Sequence, residues 1–255
     1  MKAYFAFCKK EWIESLRTYK LMMMWIAFVL FGLMSPLFAK MLPDLLNGID
    51  LGNGISLQIP EPSALDSWGQ FFKNIGQLGV LTLVIVFSGI TANEFSKGTL
   101  INILTKGMKR HTVIFAKFTV ASVIWSISYL LAFGITYSYT VYFWEIGAMP
   151  HALLAFASPW VYGLFLISLM ILGGVWLKSF LGSLSLTGGA IVVMSLLSIN
   201  PNFQKYNPLS LGGSALLLLN GQKTPDDFIP ALMICIVLTA LMIARTVVIF
   251  NRKQV

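Results

Sequence analysis

Residues 153–199 read LLAFASPWVYGLFLISLMILGGVWLKSFLGSLSLTGGAIVVMSLLSI, with Lys178 the one charged side chain in the run. A helix needs ~20 apolar residues to cross a hydrocarbon core, where each backbone polar group must be satisfied internally. The run is roughly twice that length, and Lys178 with Ser179 and Gly182 supplies a turn. Two spans are therefore predicted, Leu153–Leu177 and Phe180–Ile199, rather than one bent helix. That choice sets the span total and the sidedness of everything else.

Four further apolar stretches flank this pair: Leu21–Leu42, Ile75–Asn93, Phe118–Trp144 and Phe228–Phe250. Mean hydropathy is +0.79 and 11% of residues are charged, where soluble domains carry about 25%. The fold class expected is an all-α polytopic membrane protein of six spans, with residues 1–255 forming a single transmembrane domain.

Lys and Arg set the orientation. Lys2, Lys9, Lys10, Arg17 and Lys20 precede the first span, and Lys97, Lys106, Lys109, Arg110 and Lys117 separate the second from the third. Lys178, Arg245, Arg252 and Lys253 belong to the same side. The alternate gaps hold Lys40, Lys73, Lys205 and Lys223 with most of the acids: Asp44, Asp50, Glu61, Asp66, Glu145, Asp226 and Asp227. Both termini are expected on the cytoplasmic face of a multi-pass plasma-membrane protein. The formal charge of +8 then implies contact with anionic membrane lipids, not nucleic acid. The first span exceeds a signal peptide's apolar region and should be retained. Cys8 and Cys235 fall at different depths, so neither a disulfide nor a metal site is expected from them.

Residues 1–20 suit a helix lying in the inner interface, with Phe5, Cys8, Trp12 and Leu16 on its apolar face and Lys9, Lys10, Glu14 and Arg17 elsewhere. Ahead of the second span, Ser63 and Asp66 have capping-box spacing. Trp68, Phe71 and Phe72 suit an aromatic group at the outer interface. In the outer segment 200–227, Ser214–Leu219 is too short to cross and predicts a re-entrant or surface helix.

The cytoplasmic segment 94–110 runs Glu94-Phe95-Ser96-Lys97-Gly98-Thr99-Leu100-Ile101-Asn102-Ile103-Leu104-Thr105-Lys106-Gly107-Met108-Lys109-Arg110. A carboxylate ends a span, Gly98-Thr99 permits a turn, and Leu100, Ile103 and Leu104 make the apolar face of a short helix. Such a helix is either a knob for a partner's groove or a connector lying on lipid. The segment resembles the cytoplasmic loop of ABC-2 type transporter permeases, in which Glu-x-x-x-Gly-Thr-Leu precedes a basic turn and a Lys opening the third span, here Lys109, Arg110 and Lys117. Pro62 to Asp66 and Gln70-Phe71-Phe72-Lys73-Asn74 are similar to the loop before the second span in some bacterial members. Lys106-Gly107-Met108 departs from the Thr-Pro-Val-like turn common in the family.

The resemblance covers essentially the whole chain. It implies an ABC-2 (type V exporter-like) permease fold in a bacterial cytoplasmic membrane, with a second permease subunit, identical or sibling. It also implies separate cytoplasmic ATPase subunits that hold the ATP and Mg. Under it, Glu94, Gly98, Thr99, Leu100, Ile103 and Leu104 couple to the ATPase, with 98–104 the coupling helix and Glu94 a polar hinge.

Other features agree without the resemblance. Gly221-Gln222-Lys223-Thr224 lacks the spaced glycines of a P-loop. No Asp, Glu, Lys or Arg falls deep within the predicted spans, whereas ion-driven carriers need such groups despite a cost of at least ~2.5 kcal/mol each. Energy is therefore expected from a separate source. His111 and His151 belong to opposite faces and cannot share a metal, and no His or Lys matches a span Ser or Thr in depth. Catalysis, cofactors and metals are not expected in the chain itself.

Trp125, Tyr129, Phe133 and Tyr137 share a face of the third span, either as the wall of a substrate path or as packing. Gly182, Ser185 and Gly189 give the fifth span a small-residue surface suited to a subunit interface, and Pro36 and Pro159 predict bends. The function expected is outward movement of an amphipathic or hydrophobic substrate, such as an antimicrobial peptide or antibiotic. Alternatives are a membrane anchor or sensor for ATPases, an unpowered channel, or a permease for sodium or lipid-like substrates.

Overall fold

The computed structural model describes residues 2–47, 61–96, 98, 105 and 107–253. The six long apolar helices are α2 (Lys20–Asn47), α3 (Ala64–Ser96), α4 (Arg110–Phe143), α5 (Ala152–Leu177), α6 (Phe180–Leu197) and α10 (Ile229–Arg252), preceded by α1 (Lys2–Arg17). Short helices α7 (Pro201–Gln204), α8 (Leu209–Gly213) and α9 (Leu216–Leu219) lie between α6 and α10. Among the described residues every regular element is helical. The chain is an all-α polytopic membrane protein.

Residues 153–199 form two helices. Lys178 takes a left-handed conformation at φ 52°, its N–H closing on the Gly174 carbonyl. The Ser179 hydroxyl then accepts from the Gly182 N–H and caps α6.

Helix α3 begins at Ala64, eleven residues ahead of the predicted second span. Asp66 accepts from both the N–H and the hydroxyl of Ser63, as capping-box spacing predicts. The helix continues through a π-helical turn at Ile75–Gly79 and a break at Ser88. Trp68, Phe71 and Phe72 consequently belong to this helix and turn towards the bundle. All three are buried, because rings from α4 and α5 receive them: Trp68 stacks on Phe133 and meets Phe156 edge-on at 4.7 Å.

The helices approach closely where side chains are small, as packing in lipid requires. Gly163 of α5 lies against the Trp125 ring of α4, and a Cβ there would come within 2.2 Å of it. Gly32 of α2 meets the α4 backbone at Ala132. Pro36 cannot donate to the Gly32 carbonyl one turn back, and the Thr136 hydroxyl of α4 donates to it instead at 3.0 Å.

The segment 200–227 packs into the end of the bundle rather than over its surface. Leu211, Ala215 and Leu218 are fully buried, and α8 and α9 contact α3 and α5. The Asn207 amide ties the segment to the Met194 carbonyl and Ser198 hydroxyl at the end of α6.

Helix α1 buries Phe7, Glu11 and Ser15 against its neighbours, not the Phe5–Leu16 face. Phe5 and Leu16 are exposed, facing outward as a lipid-contacting side would. The inward face follows from ion pairs made by Glu11, described below.

Gly163→Ala is expected to cost about 1–3 kcal/mol through overpacking against Trp125, measured as a lower thermal unfolding midpoint in detergent. Gly134→Ala, whose Cβ would meet nothing within 4 Å, is the matched control and should hold or slightly raise the midpoint, since Ala favours a helix over Gly.

Candidate functional site

Helix α1, the end of α3 and the start of α4 converge on the face that carries both ends of the chain, the basal face. Lys117 of α4 is fully buried there. Its ammonium donates to both Glu11 oxygens at 2.9 and 3.0 Å and to the Ile90 carbonyl at 2.9 Å, and pairs with Glu94 at 2.9 Å. Lys10 closes the other side, reaching Glu11 at 2.9 Å, Glu14 at 2.6 Å and Glu94 at 2.5 Å.

The sequence places no ionisable group deep within a span, and this cluster lies towards the end of one. An apolar window starting at Phe118 leaves Lys117 outside, but the helix starts at Arg110, which places Lys117 two turns in. Arg245 also lies within the predicted sixth span, exposed on α10. Desolvating each ion costs several kcal/mol, offset here by short pairing with every partner.

Glu11, Glu14 and Glu94 bring oxygens within 4.8 Å of one another, a spacing compatible with a metal. The Lys10 and Lys117 ammonium groups each pair with two or more of these carboxylates, so the cluster is an ion-pair network. Burial alone would lower the Lys10 pKa, but the carboxylates of Glu11 and Glu94 override it and raise the value. Burial alone would raise that of Glu14, but its hydrogen bond with Lys10 and that lysine's charge lower it.

A second set of ties surrounds the same face. The Arg110 guanidinium donates to the carbonyls of Phe250 and Lys253 at the end of α10, and lies 5.3 Å from the Phe250 ring centre. Lys253 in turn donates to the Val175 and Trp176 carbonyls ending α5, at 2.9 and 2.5 Å. Cations thus satisfy the carbonyls that helix ends leave without partners. Phe95 packs edge-on against Phe250 and lies under Lys178.

Both ends of the segment 97–109 are therefore anchored. Glu94 and Phe95 hold the end of α3, and Arg110 and Lys117 hold the start of α4. Gly98 adopts φ +64°, the left-handed turn that glycine permits, and its N–H donates to the Phe95 carbonyl. Thr99, Leu100, Ile103 and Leu104 lie outside the described residues. Glu11 and Lys117 escaped sequence reasoning as a pair; an acid at the centre of an amphipathic helix and a lysine beside a span boundary were the available signals.

At the other end, α4, α5 and their connection enclose a lateral apolar cavity of about 700 Å³, with Trp68 of α3 in its wall. Tyr129, Phe133 and Tyr137 line it. Trp125 does not: it lies behind the wall, fully buried, its indole N–H donating to the Trp160 carbonyl at 3.0 Å. The Tyr129 hydroxyl is committed to the Phe156 carbonyl at 2.8 Å.

On α6, Ser185 and Gly189 face outward from the bundle. Gly182 is different: a Cβ there would strike Leu177 and Ser179 of the same chain. It serves the turn, not the outer surface.

Lys117→Met leaves buried carboxylates without their partner and is expected to cost about 3–5 kcal/mol. The thermal midpoint should recover in the Lys117→Met, Glu11→Gln, Glu94→Gln triple variant. The lowered pKa of Glu14 contributes stability present above its ordinary value of 4.5 and lost as pH falls through the folded value. The midpoint difference between wild type and Glu14→Gln should therefore hold at neutral pH and vanish in acid. Lys10, with its pKa raised from 10.5, contributes below that value and loses the contribution only in stronger alkali.

No family model matches the chain. It is 25% identical over 229 residues to the uncharacterized transmembrane protein YxlG of Bacillus subtilis (strain 168), a match covering 88% of each chain.

Proposed function

We propose that the chain is the permease subunit of an ABC-2 type ATP-binding cassette exporter in a bacterial cytoplasmic membrane, with both termini in the cytosol. It moves an amphipathic or hydrophobic substrate outward on energy from ATP, hydrolysed with Mg in separate ATPase subunits. The chain itself is not an enzyme. A second permease subunit completes the path, with Ser185 and Gly189 of α6 on the surface it would meet.

One observation carries this reading: the segment resembling a coupling loop is held at both ends by buried, charge-paired anchors. Glu94 and Lys117 belong to a single cluster that also grips α1, and Arg110 continues the linkage through α10 to α5. A push on residues 98–104 from below would move α1, α3, α4 and the ends of α10 and α5 together. A solvated connector needs no such anchoring, since burying the ions is costly. The apolar cavity, with its tyrosine and phenylalanine wall, supplies a path for a substrate without formal charge.

A tagged chain purified from its native membrane should bring down an ABC ATPase whose hydrolysis rises with substrate in liposomes. Gly98→Pro, or Leu100→Asp with Leu104→Asp, should abolish that association while membrane insertion is retained. Association and transport unchanged in both variants would refute the coupling role of the loop. Association without transport in the wild type would favour an anchor or sensor.

A further inference from the structure

Below the main cavity, a second apolar recess of about 290 Å³ runs along α4 and α5 past Thr119, Ser122 and Leu164. The two compartments share Ser126 and Trp160. A single hydrogen bond, from the Trp160 indole N–H to the Ser126 hydroxyl at 2.9 Å, lies at their junction.

Ser126 falls at the middle of α4, which runs from Arg110 to Phe143. From Ser126 to Tyr137 the helix rises about 16 Å at 1.5 Å per residue, close to half of a ~30 Å hydrocarbon core. From Thr119 to Tyr137 the rise is about 27 Å. The groove is thus nearly as long as the core is thick, with the hydrogen bond at mid-length. A linear chain lying along the helices would use the outer ~16 Å with that bond closed and the whole length with it open.

The polar inventory narrows the occupant. No charged side chain lines either compartment among the described residues, so a charged headgroup must stay outside. Trp160, Tyr129 and Ser126 spend their donors within the protein. The indole N–H of Trp68 and the Ser122 hydroxyl are buried without a partner and closed to the groove, so an occupant is held by apolar contact alone.

We propose that the α4–α5 groove binds the acyl chain of a membrane amphiphile, its headgroup outside and its chain lying over Phe133 and Tyr129. The Trp160–Ser126 hydrogen bond is the latch that confines the chain to the outer half. Opening it joins the two compartments into one continuous groove. This deepens the exporter reading by naming the substrate class and rests on that reading for the word substrate; chain binding itself requires no ATPase.

The test uses the intact protein at one chain per phosphatidylcholine nanodisc, so that α6 faces lipid, without nucleotide or partner, doped with a phosphatidylcholine carrying a photoreactive diazirine on its acyl chain. Mass spectrometry of labelled peptides should place several-fold more label on 126–137 and 153–160 than on the outward face of α6 at Val192 and Leu196. Ala157→Phe, which fills the cavity, should lower groove labelling at least about tenfold, equivalent to 1.4 kcal/mol, with α6 unchanged. Ala157→Leu is the milder plug should the larger ring prevent folding. Ser126→Ala should extend the label down to 119–123.

Labelling of the groove no higher than α6, or insensitive to both plugs, would overturn the site. Label that stays above Ser126 in Ser126→Ala would overturn the latch. Failure of chain binding leaves ATPase co-purification to decide the exporter reading, and failed co-purification leaves a bound chain standing.

Discussion

The ammonium of Lys117 has no contact with water, and the arrangement of the basal face follows from the need to satisfy it. Four acceptor oxygens converge on it, from Glu11 of α1, Glu94 at the end of α3 and the Ile90 carbonyl. Each comes from a segment that would otherwise be free to slide along its neighbours in lipid, where the hydrophobic effect does not hold helices together. Charge pairing supplies what burial cannot. It also fixes rotation, since α1 must turn Glu11 inward even though this leaves Phe5 and Leu16 outside.

The two ends of the bundle are held by different chemistry. At the base, ammonium and guanidinium groups bind carboxylates and helix-end carbonyls, from Arg110 to α10 and from Lys253 to α5. Towards the other end, rings and hydroxyls take over. Trp68, Phe71, Phe133 and Phe156 pack in stacked and edge-on pairs, and the Ser67 and Thr140 hydroxyls meet at 2.7 Å.

Much of the fold was legible because the relevant signals are local. An apolar run interrupted by Lys178 is visible in a window of one span, and so is the Ser63–Asp66 cap. The basal cluster was not legible, because Glu11 and Lys117 stand 106 positions apart and each alone looks like a solvated interfacial charge. On α1, hydropathy at helical spacing picks out the outward Phe5 and Leu16 but gives no weight to Glu11, an acid with a distant partner, so the face that packs on the bundle is not visible in it. Trp68, Phe71 and Phe72 resemble an interfacial belt until the rings of α4 and α5 are placed opposite them. Of the aromatic face on α4, spacing found all four members but could not divide them. Tyr129, Phe133 and Tyr137 line the cavity, while Trp125 is pressed over Gly163.

The wide turn at Ile75–Gly79 has a bearing on both ends at once. A π-type turn acts as a one-residue insertion, rotating everything downstream by ~100° relative to an uninterrupted helix. Ile75, Leu83, Phe87, Ile90 and Glu94 are all buried, a sequence of inward positions that drifts out of phase without that offset. The extra residue therefore acts as a phase corrector. It lets α3 present indole and phenyl groups to the bundle at its head and a carboxylate to the same side at its foot.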